Sequence, residues 1–332
     1  MRRNDFDVTD TIRTTDADAV RAELLRLFRD LYQGAGTDAL ERVFGDVVRM
    51  YAGEHPDWLP CDTEYHDIQH VFDVTLAMAR LMDGYERGRV NGAPPLDAEH
   101  FSVGLATALL HDHGYLRRRN DRRHRYGSEY TRNHVTRSSN FLRGYLRESG
   151  LSQHAAAAAQ IVHFTGYERP AQSIHLADPL MRRVGFILGT ADIIAQMADR
   201  CYLEKCRDRL YPEFVLGGIT RKRNADGSEL VLFSSGNDLV HKTPGFYAGA
   251  RKRLDEQLDG VYAYAERHFG GQNLYVEDMQ RNIRYAQSLA NEDLAARLRR
   301  DPPHTLQAGV EPYPAHLLAI PPGKTTTDRE PG

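Results

Sequence analysis

Tyr65-His66-Asp67-Ile68-Gln69-His70 sets two histidines four residues apart, which on a 3.6-residue helix puts both imidazoles on one face, one turn apart. Such a face can hold a metal ion or meet a phosphate. The pair alone is not specific, because fifteen histidines in 332 residues give roughly 0.7 such pairs by chance. A second feature is the apolar run FSVGLATALL, which leads into His111-Asp112, with Gly114 placed to cap the helix. A third is Asp192, the single acid in VGFILGTADIIA. A carboxylate buried without a partner costs several kcal/mol or more, so Asp112 and Asp192 each require a cation, an arginine or a metal. Capping or a salt bridge would satisfy each acid separately, whereas one ion would satisfy all of them. His70, His111, Asp112 and Asp192 form a nitrogen and oxygen set suited to Mn, Fe, Zn or Mg. The three cysteines, Cys61, Cys201 and Cys206, are odd in number and lack CxxC spacing, so they supply neither a zinc site nor a disulfide framework.

The run Arg117-Arg118-Arg119-Asn120-Asp121-Arg122-Arg123-His124-Arg125 begins five residues after Asp112. It reads either as a solvated loop or as a lid whose guanidinium groups clamp phosphate oxygens, with Arg117, Arg118 and Arg119 as the candidate substrate-binding residues.

Apolar spacing of three and four residues marks helices over 17–31 and 37–51, and a third opening near Tyr65 after the loop GEHPDWLPCD. Further helices are expected over Asp97 to Asp112, Ser128 to Arg147, Ser152 to Phe164, Pro179 to Arg207, Pro244 to Phe269 and Val276 to Arg299. The fold class is therefore all-α. One small β-hairpin is expected in ITRKRNADGSELVLF, where Asp226-Gly227 separates two β-prone runs. Residues 1–300 read as one domain: N-terminal helices over 17–53, a core over about 60–210 and C-terminal helices over 244–299. Residues 301–332 hold seven of the fifteen prolines and no helical period, so a disordered tail is expected there.

The chain carries 43 Lys and Arg against 46 Asp and Glu, a net charge of -3, which excludes the basic surplus of a dedicated nucleic-acid binder. Its apolar runs fall short of the ~18 residues of a membrane span. The opening MRRNDFDVTDTIRTTDADAV alternates charges where a signal peptide needs an apolar stretch, so a cytoplasmic protein is expected.

The order His, His-Asp, Asp on successive helices resembles the HD-domain metal-dependent phosphohydrolases. More narrowly, Tyr65-His66-Asp67-x-x-His70-x-x-Asp73-Val74 resembles the signature of the cyclic nucleotide phosphodiesterases, which usually carry Asn where Asp67 stands. Leu109-Leu110-His111-Asp112-x-Gly114-Tyr115 and Gly189-Thr190-Ala191-Asp192 are similar to bacterial relatives of that group. The resemblance implies an HD-domain helical bundle in which His70, His111, Asp112 and Asp192 ligate one divalent metal, with Asp112 able to bridge to a second. It implies His134 and His163 as candidate ligands of that second ion and His66 as general acid, with Asp67 or Asp73 beside it to keep it protonated. The implied activity is hydrolysis of a phosphoester, foremost a nucleotide phosphodiester such as a cyclic nucleotide, by metal-activated water. A di-iron oxygenase of the same scaffold and a nucleotide-binding regulator without catalysis are the alternatives. The sequence departs from the phosphodiesterases at the further histidine, for which His113 is the nearby candidate, and at the purine-reading glutamine, which has no evident counterpart.

Overall fold

Two amphipathic helices open the chain, as their apolar spacing requires. α1 (Ala17–Leu31) is N-capped by the Asp16 carboxylate, which accepts from the Asp18 and Ala19 amides, and it buries Val20, Leu24, Leu27 and Phe28. α2 (Asp38–Tyr51) buries Val43, Phe44, Val47 and Met50. These observations come from a computed structural model of the chain, which describes residues 2–90, 92–224, 226–289 and 293–314.

The three segments that carry the candidate ligands fold as the helices that are buried nearly all round. α3 (Ile68–Gly88) packs on α1, on α4 (Ala98–Leu110) and on the long α7 (Pro179–Ala198). A helix without a polar face has to sit in the core, and α3, α4 and α7 do so. Asp67 is the N-cap of α3, its carboxylate accepting from the His70 amide at 2.9 Å. Around this centre lie α5 (His134–Tyr145), which packs on α6 (Ala155–Ile161), and then α8 (Tyr202–Lys205) and α9 (Tyr211–Leu216). α10 (Gly236–Glu256), α11 (Tyr264–His268), α12 (Leu274–Ser288) and α13 (Leu294–Arg297) complete the helical order. The fold is all-α, as expected. The expected hairpin is present as β1 (Arg221–Arg223) paired antiparallel with β2 (Glu229–Val231), Lys222 opposite Leu230, with Gly227 at φ 82° in the turn.

Several helix bounds differ from the sequence reading. The helix expected from Ser128 starts at His134, because Gly127–Tyr130 forms a separate 3₁₀ turn. The helix expected to run from Pro179 to Arg207 breaks at Asp199, whose backbone is extended (ψ 135°) and whose carboxylate accepts from the Cys201 amide and from Lys205 Nζ. Beyond that break α8 passes through a π turn, Cys206–Leu210, into α9. α10 begins eight residues before Pro244, capped by the Ser235 hydroxyl, which accepts from the Asp238 amide. The helix continues through Pro244 even though proline donates no backbone hydrogen bond.

The largest change concerns the expected tail. Residues 301–314 are laid against the core: Arg209 donates to the carbonyls of Pro302 and Pro303 at 2.7 and 2.9 Å, and Thr305 donates to the Asp67 carboxylate. Tyr313 is buried, edge-on to Tyr126. The rest of the expected tail, 315–332, lies outside the described residues. Deleting 301–332 therefore removes a buried aromatic ring and leaves the buried Arg209 guanidinium short of acceptors, together about 3 kcal/mol. A melting temperature lower by about 5–10 °C is the expected result in a thermal melt; an unchanged value would show that the strap adds no stability. No helix among the described residues is long and apolar enough to cross a membrane.

Candidate metal centre and its cavity

α3, α4 and α7 bring His70, His111, Asp112 and Asp192 to one point. His70 Nε2 lies 3.3 Å from His111 Nε2, 3.3 Å from Asp112 Oδ2 and 3.5 Å from Asp192 Oδ1. His111 Nε2 lies 3.2 Å from Asp112 Oδ2 and 4.0 Å from Asp192 Oδ1. Bonds of about 2.0–2.2 Å to a divalent ion place neighbouring ligand atoms about 3.0–3.6 Å apart. The cluster has that spacing, with Asp192 slightly wide.

Hydrogen bonding orients the ligands. His111 Nδ1 lies 2.7 Å from the Ala108 carbonyl, so it carries a proton and Nε2 is the nitrogen turned towards the cluster. Asp112 Oδ2 is buried and, beside the His70 and His111 nitrogens at 3.3 and 3.2 Å, makes no well-aligned hydrogen bond among the described residues. Gln196 Nε2 contacts Asp192 Oδ1 at 3.4 Å, and its Oε1 accepts from Tyr65 at 3.0 Å. The electrostatics show the same demand for positive charge. Burial disfavours a charged His70, yet its contacts to Asp112 and Asp192 outweigh that and raise its pKa to about 10. Burial likewise opposes the Asp112 charge, while His111 and His70 hold its carboxyl well below the usual range. An orphaned carboxylate oxygen, a second carboxylate and two imidazole nitrogens converging in the core fit a divalent cation, and of these His70, His111 and Asp112 are within mutual ligand reach.

His66 lies beside this cluster but has a different partner from the one expected. Its Nδ1 pairs with Glu213 Oε2, and Glu213 Oε1 accepts from the Tyr65 amide at 2.7 Å. Asp67 and Asp73 do not fill that role. Asp67 caps α3, and Asp73 is grouped with Asp199 and Lys205, where burial raises its pKa to about 7. Glu213, fully buried on α9 just after the π turn, escaped the sequence reading; the signal for it was an acid among apolar neighbours in YPEFVL. The His66 ring stacks on Tyr115 at 4.4 Å, and Tyr115 stacks in turn on His134 at 4.4 Å.

His134 and His163 part company. His134 Nδ1 lies 2.7 Å from the Thr131 carbonyl, and its Nε2 is 3.7 Å from Asp112 Oδ1, the oxygen not shared with His70 and His111. Burial lowers the His134 pKa and overrides the attraction of Asp112, which favours the neutral, ligand form. His163 instead pairs through Nδ1 with Glu168 at 3.2 Å. His113 is buried in a stack with Phe141 at 3.5 Å and edge-on to Trp58. Burial among arginines drives its pKa well below the usual value.

The three arginines expected to bind substrate face another way. Arg117 pairs with Asp62 at 2.9 Å, Arg118 lies 4.7 Å over the Trp58 ring, and Arg119 donates to the Gly53 carbonyl at 2.6 Å. These contacts fasten the loop before α3. The cations on the wall of the cavity above the cluster are Arg132 and Lys242. That cavity measures about 480 Å³ and has His66, Asp112, His134 and Asp192 on its wall. Its remaining wall is largely apolar, including Ile193, Phe214, Ile219, Phe233 and Phe246.

Gly114 does not act as the left-handed helix cap expected of it. It sits in the 3₁₀ turn His113–Tyr115, and a Cβ there would overlap the His134 carbonyl. Gly114→Ala is accordingly expected to push α5 off the cluster and cost at least about 2 kcal/mol by overpacking. Urea unfolding checks this, and a wild-type midpoint would contradict the close approach.

No protein-family model, curated protein or solved structure gives a significant match to this chain. Fold and site together describe a helical protein with a buried His/Asp cluster able to hold a metal ion, compatible with an HD domain.

Proposed function

We propose that this protein is a metal-dependent phosphohydrolase that cleaves a phosphoester at the His70-His111-Asp112-Asp192 cluster, of which Asp112 and Asp192 line the cavity. The observation that carries the reading is that one cavity is lined by Asp112 and Asp192 of a cation-demanding cluster and by His66, whose partner Glu213 is fully buried. A divalent ion held there supplies Lewis acidity toward phosphoryl oxygens and lowers the pKa of a water ligand. Asp112 shares its oxygens between the His70 and His111 side and the His134 side. His66, with Nδ1 held by Glu213, presents Nε2 as the proton donor to the leaving alkoxide, the role of a positioned general acid. Tyr115 limits the swing of the His66 ring by stacking on it.

A second reading, a di-iron oxygenase, is favoured by one contact, that of His134 with the far oxygen of Asp112. One experiment separates the two. Purified protein is supplied with Mn, Fe, Zn or Mg and assayed against bis(p-nitrophenyl) phosphate, cyclic nucleotides, linear dinucleotides and nucleoside triphosphates, with metal content measured on the same sample. Metal-dependent release of alcohol or nitrophenol is the expected result. Oxygen consumption by iron-loaded protein with no ester cleavage under any metal would overturn the hydrolase reading.

A further inference from the structure

The hydrogen-bonding capacity of the cavity wall identifies the kind of alcohol the site receives. Gln196 is occupied by Tyr65 and Asp192. Three threonines on the wall turn their hydroxyls back to the main chain: Thr131 to the Ser128 carbonyl, Thr165 to Val162 and Thr243 to Leu239. Each thereby spends its only proton, so these threonines offer a ligand methyl groups and acceptor oxygens but no donor. Among the charged side chains, Lys242 binds the Leu232 carbonyl and Asp238, and Glu168 binds His163, while the exposed Arg132, bound to the Gly218 carbonyl, keeps donors for a phosphate. A nucleobase lying against Ile193, Phe214, Ile219, Phe233 and Phe246 would exchange water for apolar surface at its polar edge atoms, each unmet bond weakening binding about tenfold. An aliphatic chain loses nothing there.

We propose that the substrate is the phosphoester of a long aliphatic alcohol, its chain lying in the apolar part of the cavity while the phosphate meets the metal cluster and His66; this rests on the hydrolase reading above. Size agrees with this. The cavity of about 480 Å³ is roughly three times an apolar cavity that holds benzene, room for an aliphatic group on the order of fifteen carbons. The mouth agrees too. Tyr167 and Phe246, two of the few large apolar side chains that stand in solvent, are 63% and 45% exposed and both lie on the cavity wall, and exposed apolar surface of this kind marks a binding site.

Calorimetric titration of the full-length, Mn-loaded protein with n-alkylphosphonates, which cannot be hydrolysed, tests the inference without relying on turnover. Affinity is expected to rise about threefold to fourfold per methylene from methyl to at least octyl, with adenosine monophosphate binding no more tightly than methylphosphonate. Phe246→Ala, at an exposed position that folding tolerates, is expected to cut the octyl-to-methyl affinity ratio about fivefold. Affinity independent of chain length, or a nucleotide that binds more tightly than octylphosphonate, overturns the proposal. Turnover of bis(p-nitrophenyl) phosphate is measured on the same preparation. Turnover with flat chain-length dependence removes the aliphatic substrate and keeps the hydrolase. A steep dependence with no ester cleaved under any of the four metals removes the hydrolase and keeps the apolar site.

Discussion

Asp112→Ala is expected to leave the protein with less than about a tenth of the wild-type metal content and to abolish turnover, since losing one ligand of a small set weakens an ion by orders of magnitude. The geometry explains why this residue should matter most. Asp112 Oδ2 is the atom closest to both His70 Nε2 and His111 Nε2, and Oδ1 reaches His134. Without that carboxylate the two imidazoles face one another at 3.3 Å with only Asp192 left to offset positive charge. Asp112→Asn is the informative companion, because the amide keeps the shape and one carbonyl oxygen but removes the charge. Elemental analysis after gel filtration decides the point. Stoichiometric metal in Asp112→Ala would show that the ion, if any, sits elsewhere.

Glu213→Gln is expected to lower turnover of esters with alkoxide leaving groups by about 100-fold, the usual scale for a lost general acid, while metal content stays at the wild-type level. The substitution keeps a carbonyl oxygen for the Tyr65 amide. It also places an NH₂ group opposite His66 Nδ1. That nitrogen then has to accept rather than donate, so the ring stays neutral and its remaining N–H is a poor acid. Nitrophenyl esters, whose leaving groups need little protonation, should lose far less. His66→Ala should show the same selectivity, and the double variant should be little worse than either single one, as for residues that act as a unit. An equal loss on both ester types, or loss of metal, would make the pair structural or ligating instead.

The members of the His/Asp cluster were legible in the sequence because burial leaves a strong imprint there. Asp112 and Asp192 stand out as lone acids in runs such as LATALL and VGFILG, and a charge in an all-apolar helix calls for a cation wherever the helix goes. The all-α class and the Asp226-Gly227 hairpin were legible for a similar reason, since three- and four-residue spacing and turn chemistry act within a few residues. Glu213 was not legible. It meets His66 across 147 residues of chain, and nothing local to YPEFVL says which buried base it will face. The contacts of Arg117, Arg118 and Arg119 were not legible either, because their partners, Asp62, Trp58 and the Gly53 carbonyl, lie more than fifty residues earlier.

What the sequence determined by itself is the set of groups that cannot be buried alone and the helices that bury them, because desolvation and helical periodicity are local properties. What only the tertiary structure decided is the pairing. Asp67 became a helix cap and an acceptor for Thr305, rather than the partner of His66. His134 joined Asp112 while His163 turned to Glu168, and 301–314 became a strap against the core. Pairings of this kind depend on how helices distant in the chain cross, and the energies that select them, a hydrogen bond or a buried ring each, exist only once those helices are packed.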